Sequence, residues 1–180
     1  HTFYYNDFES LKKIINQKNK IGTIIMEPRR DYPPQLKFLE KIRKLAKEKK
    51  IILIFDECTS GFSENFGGIH LKYNVKPDMA MFGKALGNGY PITAIIGKRK
   101  IMRYAEKTFV SSTYWSERIG PTAGLVTLKM MQKLKSWEVI SKKGRFIKKE
   151  LKSIAEKKGI NLKIFGLDSK INFVFKGKNP

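Results

Sequence analysis

Ile51-Ile52-Leu53-Ile54-Phe55 runs directly into Asp56. Five apolar residues in a row, without polar alternation, suit a strand buried on both faces, as in a parallel sheet covered by helices. A second run, Thr23-Ile24-Ile25-Met26, ends in the same way at Glu27-Pro28. Between them Leu36, Leu39, Ile42, Leu45 and Ala46 recur every three or four residues, which predicts an amphipathic helix from Pro34 onward. Strands alternating with helices predict an α/β fold with a mostly parallel sheet.

The rest of the chain extends that reading. Asn6 and Glu9 form a variant capping box ahead of a helix marked by Phe8, Leu11, Ile14 and Ile15. A Gly-containing loop over 56–68 leads to a short helix over 69–73. Strands are expected at 79–82 and 92–96, helices at 123–134 and 138–157, and closing strands at 162–165 and 171–175. Near Leu134 the pattern shifts from strands and loops to long basic helices, so we place a domain boundary between 1–135 and 136–180. The chain begins at His1 inside an apolar-polar pattern and ends just after a strand-like run. It reads as an interior section of a longer protein.

Composition removes several classes. Hydrophobic residues make up 41% and charged residues 29% of the 180 positions, the profile of a packed globule and not of a disordered chain. No apolar run approaches the roughly 20 residues that span a bilayer. A single cysteine, Cys58, fits a reducing compartment, and the cytoplasm is the default location. His1 and His70 lack ligand-spaced cysteine partners, so no metal site is expected. The net charge of +21 raises the alternative of a non-enzymatic basic module that binds nucleic acid or anionic lipid. The excess, however, is mostly Lys at helical spacing, as in Lys41, Lys44 and Lys47, without the interleaved arginines and aromatics of recognition modules. A solvated Lys-rich face accounts for it.

In open parallel sheets, ligands bind beyond the carboxyl ends of the strands. Glu27, Asp56 and Lys84 all fall at such ends. Asp56 lies at the margin of a low-dielectric region, where an unpaired charge is costly, so a cationic partner is expected. Taken alone, a salt bridge or a helix cap would serve as well as a catalytic role. Lys84 stands among Gly83, Ala85, Gly87 and Gly89, which let a backbone approach a ligand closely. A lysine so placed suits Schiff-base chemistry, or is an ordinary loop lysine. No GxxxxGK[ST] or GxGxxG occurs.

Together these segments resemble a known family. Phe55-Asp56-Glu57-Cys58-Thr59-Ser60-Gly61-Phe62 is similar to the Asp-Glu-x-x-x-Gly-Phe segment of class III pyridoxal-phosphate aminotransferases. Gly67-Gly68, Tyr73-Asn74-Val75-Lys76-Pro77-Asp78 and Phe82-Gly83-Lys84-Ala85-Leu86-Gly87-Asn88-Gly89-Tyr90-Pro91 follow in the family's order and spacing. The stretch from Ser112-Thr113 to Ala123-Gly124 resembles its next signature. The Gly-Gly and Tyr-x-Val-x-Pro-Asp pieces look most like the glutamate-1-semialdehyde aminomutase branch. Ser63 stands where that branch has Arg, and Trp115-Ser116-Glu117-Arg118 replaces a Ser-Gly-Asn-Pro stretch.

The resemblance implies a fold-type-I pyridoxal-phosphate transferase: the second part of the cofactor-binding large domain in 1–135, and the start of a small C-terminal domain in 136–180. The implied activity is transaminase or aminomutase, using a small-molecule amino donor and a carbonyl acceptor. Lys84 would hold pyridoxal 5′-phosphate as a Schiff base, and Asp56 would pair with the protonated pyridine nitrogen. Cys58 takes the place of a small apolar residue against the ring face. Thr113 matches a threonine that reaches the cofactor phosphate of a neighbouring subunit, which implies a homodimer with shared sites. The phosphate-binding turn and the aromatic that stacks on the ring are expected upstream of His1, so this section alone is expected to be inactive.

Overall fold

A computed structural model describes residues 1–17, 20–111, 113–114 and 116–177. Helix α1 (Phe8–Gln17) leads to strand β1 (Thr23–Met26), helix α2 (Phe38–Glu48) and strand β2 (Ile52–Asp56). Strands β3 (Met79–Phe82) and β4 (Ala94–Gly97) complete a sheet in the order β1-β2-β3-β4. The first three strands are parallel, with Met26 opposite Phe55 and Asp56 opposite Met81, and β4 returns antiparallel to β3. A short helix α3 (Arg99–Met102), then α4 (Ile119–Leu134) and α5 (Ser136–Lys157), precede an antiparallel hairpin of β5 (Leu162–Leu167) and β6 (Lys170–Phe175). Lys135 separates α4 from α5 with a left-handed φ of 47°.

One face of the sheet carries the core. Ile24 and Met26 of β1 and Leu53 and Phe55 of β2 meet Leu11 and Ile15 of α1 and Phe38, Leu39, Ile42, Leu45 and Ala46 of α2. The second face carries apolar side chains too. The strands alternate in burial, and Ile25 of β1 and Ile95 and Ile96 of β4 are 55%, 52% and 57% exposed. In this section of the chain the apolar run of β2 is buried on one face and half-buried on the other.

Local chemistry shifts several boundaries. Asp7, not an Asn6–Glu9 box, caps α1: its Oδ1 accepts the Ser10 N–H at 2.9 Å. Asn6 instead reaches the Pro33–Gln35 loop, donating to the Pro33 carbonyl and accepting the Gln35 N–H. Helix α2 starts at Phe38 because Leu36 and Lys37 both adopt left-handed backbone, which leaves Leu36 exposed despite its spacing. The fourth strand lies at 94–97, two residues later than the apolar pattern suggests.

At the amino end of β3, Asp78 ties three elements together. Its carboxylate accepts the Leu53 N–H (2.9 Å), Arg43 of α2 (2.8 Å) and Lys98 just after β4 (2.6 Å). Burial pushes this carboxyl upward, but the backbone donor and the two cations outweigh it and bring the pKa down to about 2. At the other end of the sheet, the hairpin docks on the loops leaving β1 and β2. The Gly166 N–H donates to the Asp31 carbonyl (2.9 Å), Asn172 donates to the Asp31 carboxylate (2.9 Å), and the Tyr32 and Phe165 rings stack with centroids 5.6 Å apart. Helix α5 approaches the hairpin turn closely enough that a Cβ on Gly144 would fall on the Asp168 carbonyl.

Candidate active site

Parallel strands bring their carboxyl ends to one edge, and the chemistry-bearing side chains gather there. Asp56 is the last residue of β2. Its Oδ1 accepts the Cys58 N–H at 2.9 Å, a local turn contact that Asp makes readily. Among the described residues no Lys, Arg or His forms an ion pair with Asp56.

Lys84 follows β3 after Gly83 and opens a single 3-10 turn, Lys84–Leu86. Its φ of 45° lies in the left-handed region, which a residue with a Cβ enters at a cost of about 1–3 kcal/mol. The side chain is exposed, and its Nζ donates to Thr59 Oγ1 at 2.8 Å. Cys58 sits between the acid and the amine. Burial first, then the hydrogen bond and charge of Asp56, push its thiol pKa up, while Lys84 opposes them. A Cβ on Gly83 would lie 3.4 Å from the Cys58 Sγ. The structure thus brings Asp56, Cys58 and Lys84 to one place. Thr113 lies in an exposed turn, and its neighbours Ser112 and Trp115 fall outside the described residues.

Three groups that sequence reasoning missed complete the edge. Glu57, next to Asp56 but on the opposite side of the chain, is fully buried. Its carboxylate meets Ser60 Oγ (2.5 Å), the N–H groups of Ile69 and His70 (3.0 Å each) and His70 Nδ1 (2.6 Å). Those contacts fold the 57–70 loop onto the strand end, and a Cβ on Gly68 would lie 2.6 Å from Glu57 Oε1. The acidic dipeptide was visible in the sequence, but its division of labour was not. Glu64 is similarly buried and collects Arg29 (3.1 Å), Lys72 (3.0 Å) and the Asp168 N–H (2.5 Å), which links the loop to the hairpin. Lys170, from the start of β6, reaches back so that its Nζ donates to the Thr59 carbonyl. Only the fold brings it there.

Among the described residues no cluster of three or more His, Cys, Asp or Glu could hold a metal ion. No helix among them is long and apolar enough to cross a membrane.

Comparison with known proteins bears on the family and the fold. Residues 3–167 match the family Aminotransferase class-III. The chain is 35% identical over 175 residues to a 3-aminobutyryl-CoA aminotransferase of Cloacimonas acidaminovorans, covering 92% of this chain and 42% of that protein. It is 32% identical over 179 residues to a glutamate-1-semialdehyde 2,1-aminomutase of Hyperthermus butylicus, covering 95% and 42%. Among solved structures, the pyridoxal-phosphate internal aldimine form of the FumI protein of Sphingopyxis sp. MTA144 superposes with a TM-score of 0.93 at 25% identity, over 98% of this chain and 44% of that one. The chain therefore spans about two fifths of the length of the curated relatives it matches.

Proposed function

The chain belongs to the class-III aminotransferase family, whose members use pyridoxal phosphate, and from that premise we propose that it carries the lysine and the ring-nitrogen acid of an amino-group-transferring enzyme, a transaminase or an aminomutase. The observation that supports this most is Asp56: a carboxylate at a strand end, beside a lysine in strained backbone, with no cation of its own among the described residues. A protonated pyridine ring fits that demand, and the exposed Lys84 amine fits the aldehyde that the same cofactor bears. When bound, pyridoxal phosphate would supply an electron sink for the charge left when an amino substrate loses a proton.

Each residue has a role in this reading. Lys84 Nζ would hold the cofactor covalently and, when free, would serve as the base and acid that moves the substrate proton. Thr59 Oγ1 fixes that amine while it waits. The Asp56 carboxylate, oriented by the Cys58 N–H, would hold the proton on the ring nitrogen. Cys58 packs beside the ring. Glu57 keeps the loop closed on its buried side, so the strand end does not rearrange. Thr113 would reach the cofactor phosphate of a second subunit, which would make the active form a homodimer. We place the division between large and small domains at Lys135, where α4 ends.

The complete protein mixed with pyridoxal phosphate should give a visible-absorbing covalent complex, and Lys84→Ala should lose it. Retention of that absorbance in the Lys84→Ala protein would contradict the assignment.

A further inference from the structure

Lys170 has no role in the reaction as described so far. It begins β6, directly after the Asp168–Ser169 turn, on a hairpin pinned to the site loops by Gly166 and Asn172 on Asp31, by Asp168 on Glu64, and by Phe165 on Tyr32. Its position is therefore fixed. From there its Nζ donates to the carbonyl of Thr59, the same residue whose hydroxyl receives the Nζ of Lys84. One threonine thus carries two lysine amines, one from the turn after β3 and one from the hairpin.

The charges around this pair do not balance. Asp168, the acid nearest to Lys170 in sequence, is committed to Arg145 (3.0 Å) and Lys148 (3.0 Å). Glu27 is engaged by Arg30 at 3.2 Å, yet its buried Oε2 has no hydrogen-bond partner among the described residues. No carboxylate among the described residues forms an ion pair with Lys170. An intermediate-exposure ammonium beside a second amine and without an acid favours an anion. Burial, then the charge of Lys84, hold the Lys170 pKa below the ordinary lysine range, with Glu27 opposing and Arg30 adding to them.

We propose that Lys170 is a specificity-determining residue that receives the carboxylate of the amino substrate. The substrate class is then amino acids, α or ω, and not simple amines. The carboxylate would take the place of the Thr59 carbonyl as partner of Lys170 Nζ, while the substrate nitrogen faces Lys84. A direct charge-assisted contact of this kind is directional as well as attractive, so it fixes which end of the substrate meets the amine.

This inference rests on the proposed function above, and its test separates the two. Two carbonyl reagents serve as probes: amino-oxyacetate, which bears a carboxylate, and methoxyamine, which does not. Each reagent would bond intact through its amino nitrogen to the cofactor carbon as the carbon–nitrogen bond to Lys84 breaks, releasing the Lys84 amine, so the rate of spectral loss reads recognition without knowledge of the natural substrate. In the complete holoenzyme, Lys170→Met should lower the rate ratio of amino-oxyacetate to methoxyamine about 10- to 100-fold. Lys170→Arg should keep most of that ratio. Borohydride labelling of Lys84 should persist in both variants, which shows that they fold and load cofactor. An unchanged ratio in a labelled Lys170→Met protein overturns the proposal while leaving the function intact. So does a loss of affinity for pyridoxal phosphate but not for pyridoxal, because Lys170 would then serve the cofactor phosphate. Absence of labelling in the unmodified protein overturns the function itself.

Discussion

Asp56 and Glu57 are chemically near-identical neighbours that the fold sends to opposite fates. Glu57 is fully buried and spends its oxygens on protein donors, whereas Asp56 keeps one turn contact and meets no cation among the described residues. That contrast makes Asp56 the residue whose charge is available. Asp56→Asn preserves shape and removes the charge, so turnover in the complete protein should fall by about two to four orders of magnitude while cofactor attachment persists. Steady-state kinetics beside the visible spectrum checks this, and near-normal turnover would make Asp56 a structural group. The positions of Asp56 and Lys84 at strand ends were legible because each follows an apolar run. Lys170 was not legible: 111 residues separate it from Thr59, and no periodicity marks a contact of that range.

The helices and strands were mostly legible from hydrophobic spacing, and the misreadings have local causes. Leu36 fits the period of α2 but its backbone turns left-handed, and Asn6 is a good capping residue that a more distant loop engages instead. The spacing of α2 does place Leu39 fully inside the core. Leu39→Ala should destabilise the fold by about 2–5 kcal/mol, read as a lower urea midpoint. Asp78 binds α2, β2 and the end of β4, and its depressed pKa gives this junction a pH dependence. The ordinary value is 3.8 and the folded value about 2, so the stabilisation, about 2 kcal/mol, is fully present above pH 4. It is lost as pH falls toward 2. Urea unfolding of the Asp78→Asn protein should show that deficit at neutral pH and a flatter acid limb than the unmodified protein. Parallel acid limbs would mean that the ion pairs contribute nothing.

The whole molecule joins a sheet that has one packed face to a hairpin that closes over the strand ends. Its charge of +21 raises a polyanion partner as an alternative, yet the excess is mostly Lys at helical spacing, away from the sheet edge where Asp56 and Lys84 fall. The open face with Ile25, Ile95 and Ile96 is apolar enough to seek cover. The 180-residue chain alone should therefore self-associate, with a sedimentation coefficient that rises with concentration, and a concentration-independent monomer would count against this. The central claim is that Lys84 is the lysine that bonds the cofactor. Borohydride reduction of the complete holoprotein, followed by proteolysis and mass mapping, tests it most directly. The pyridoxyl group should appear on the peptide containing Lys84 and nowhere else; its recovery on another lysine would contradict the account.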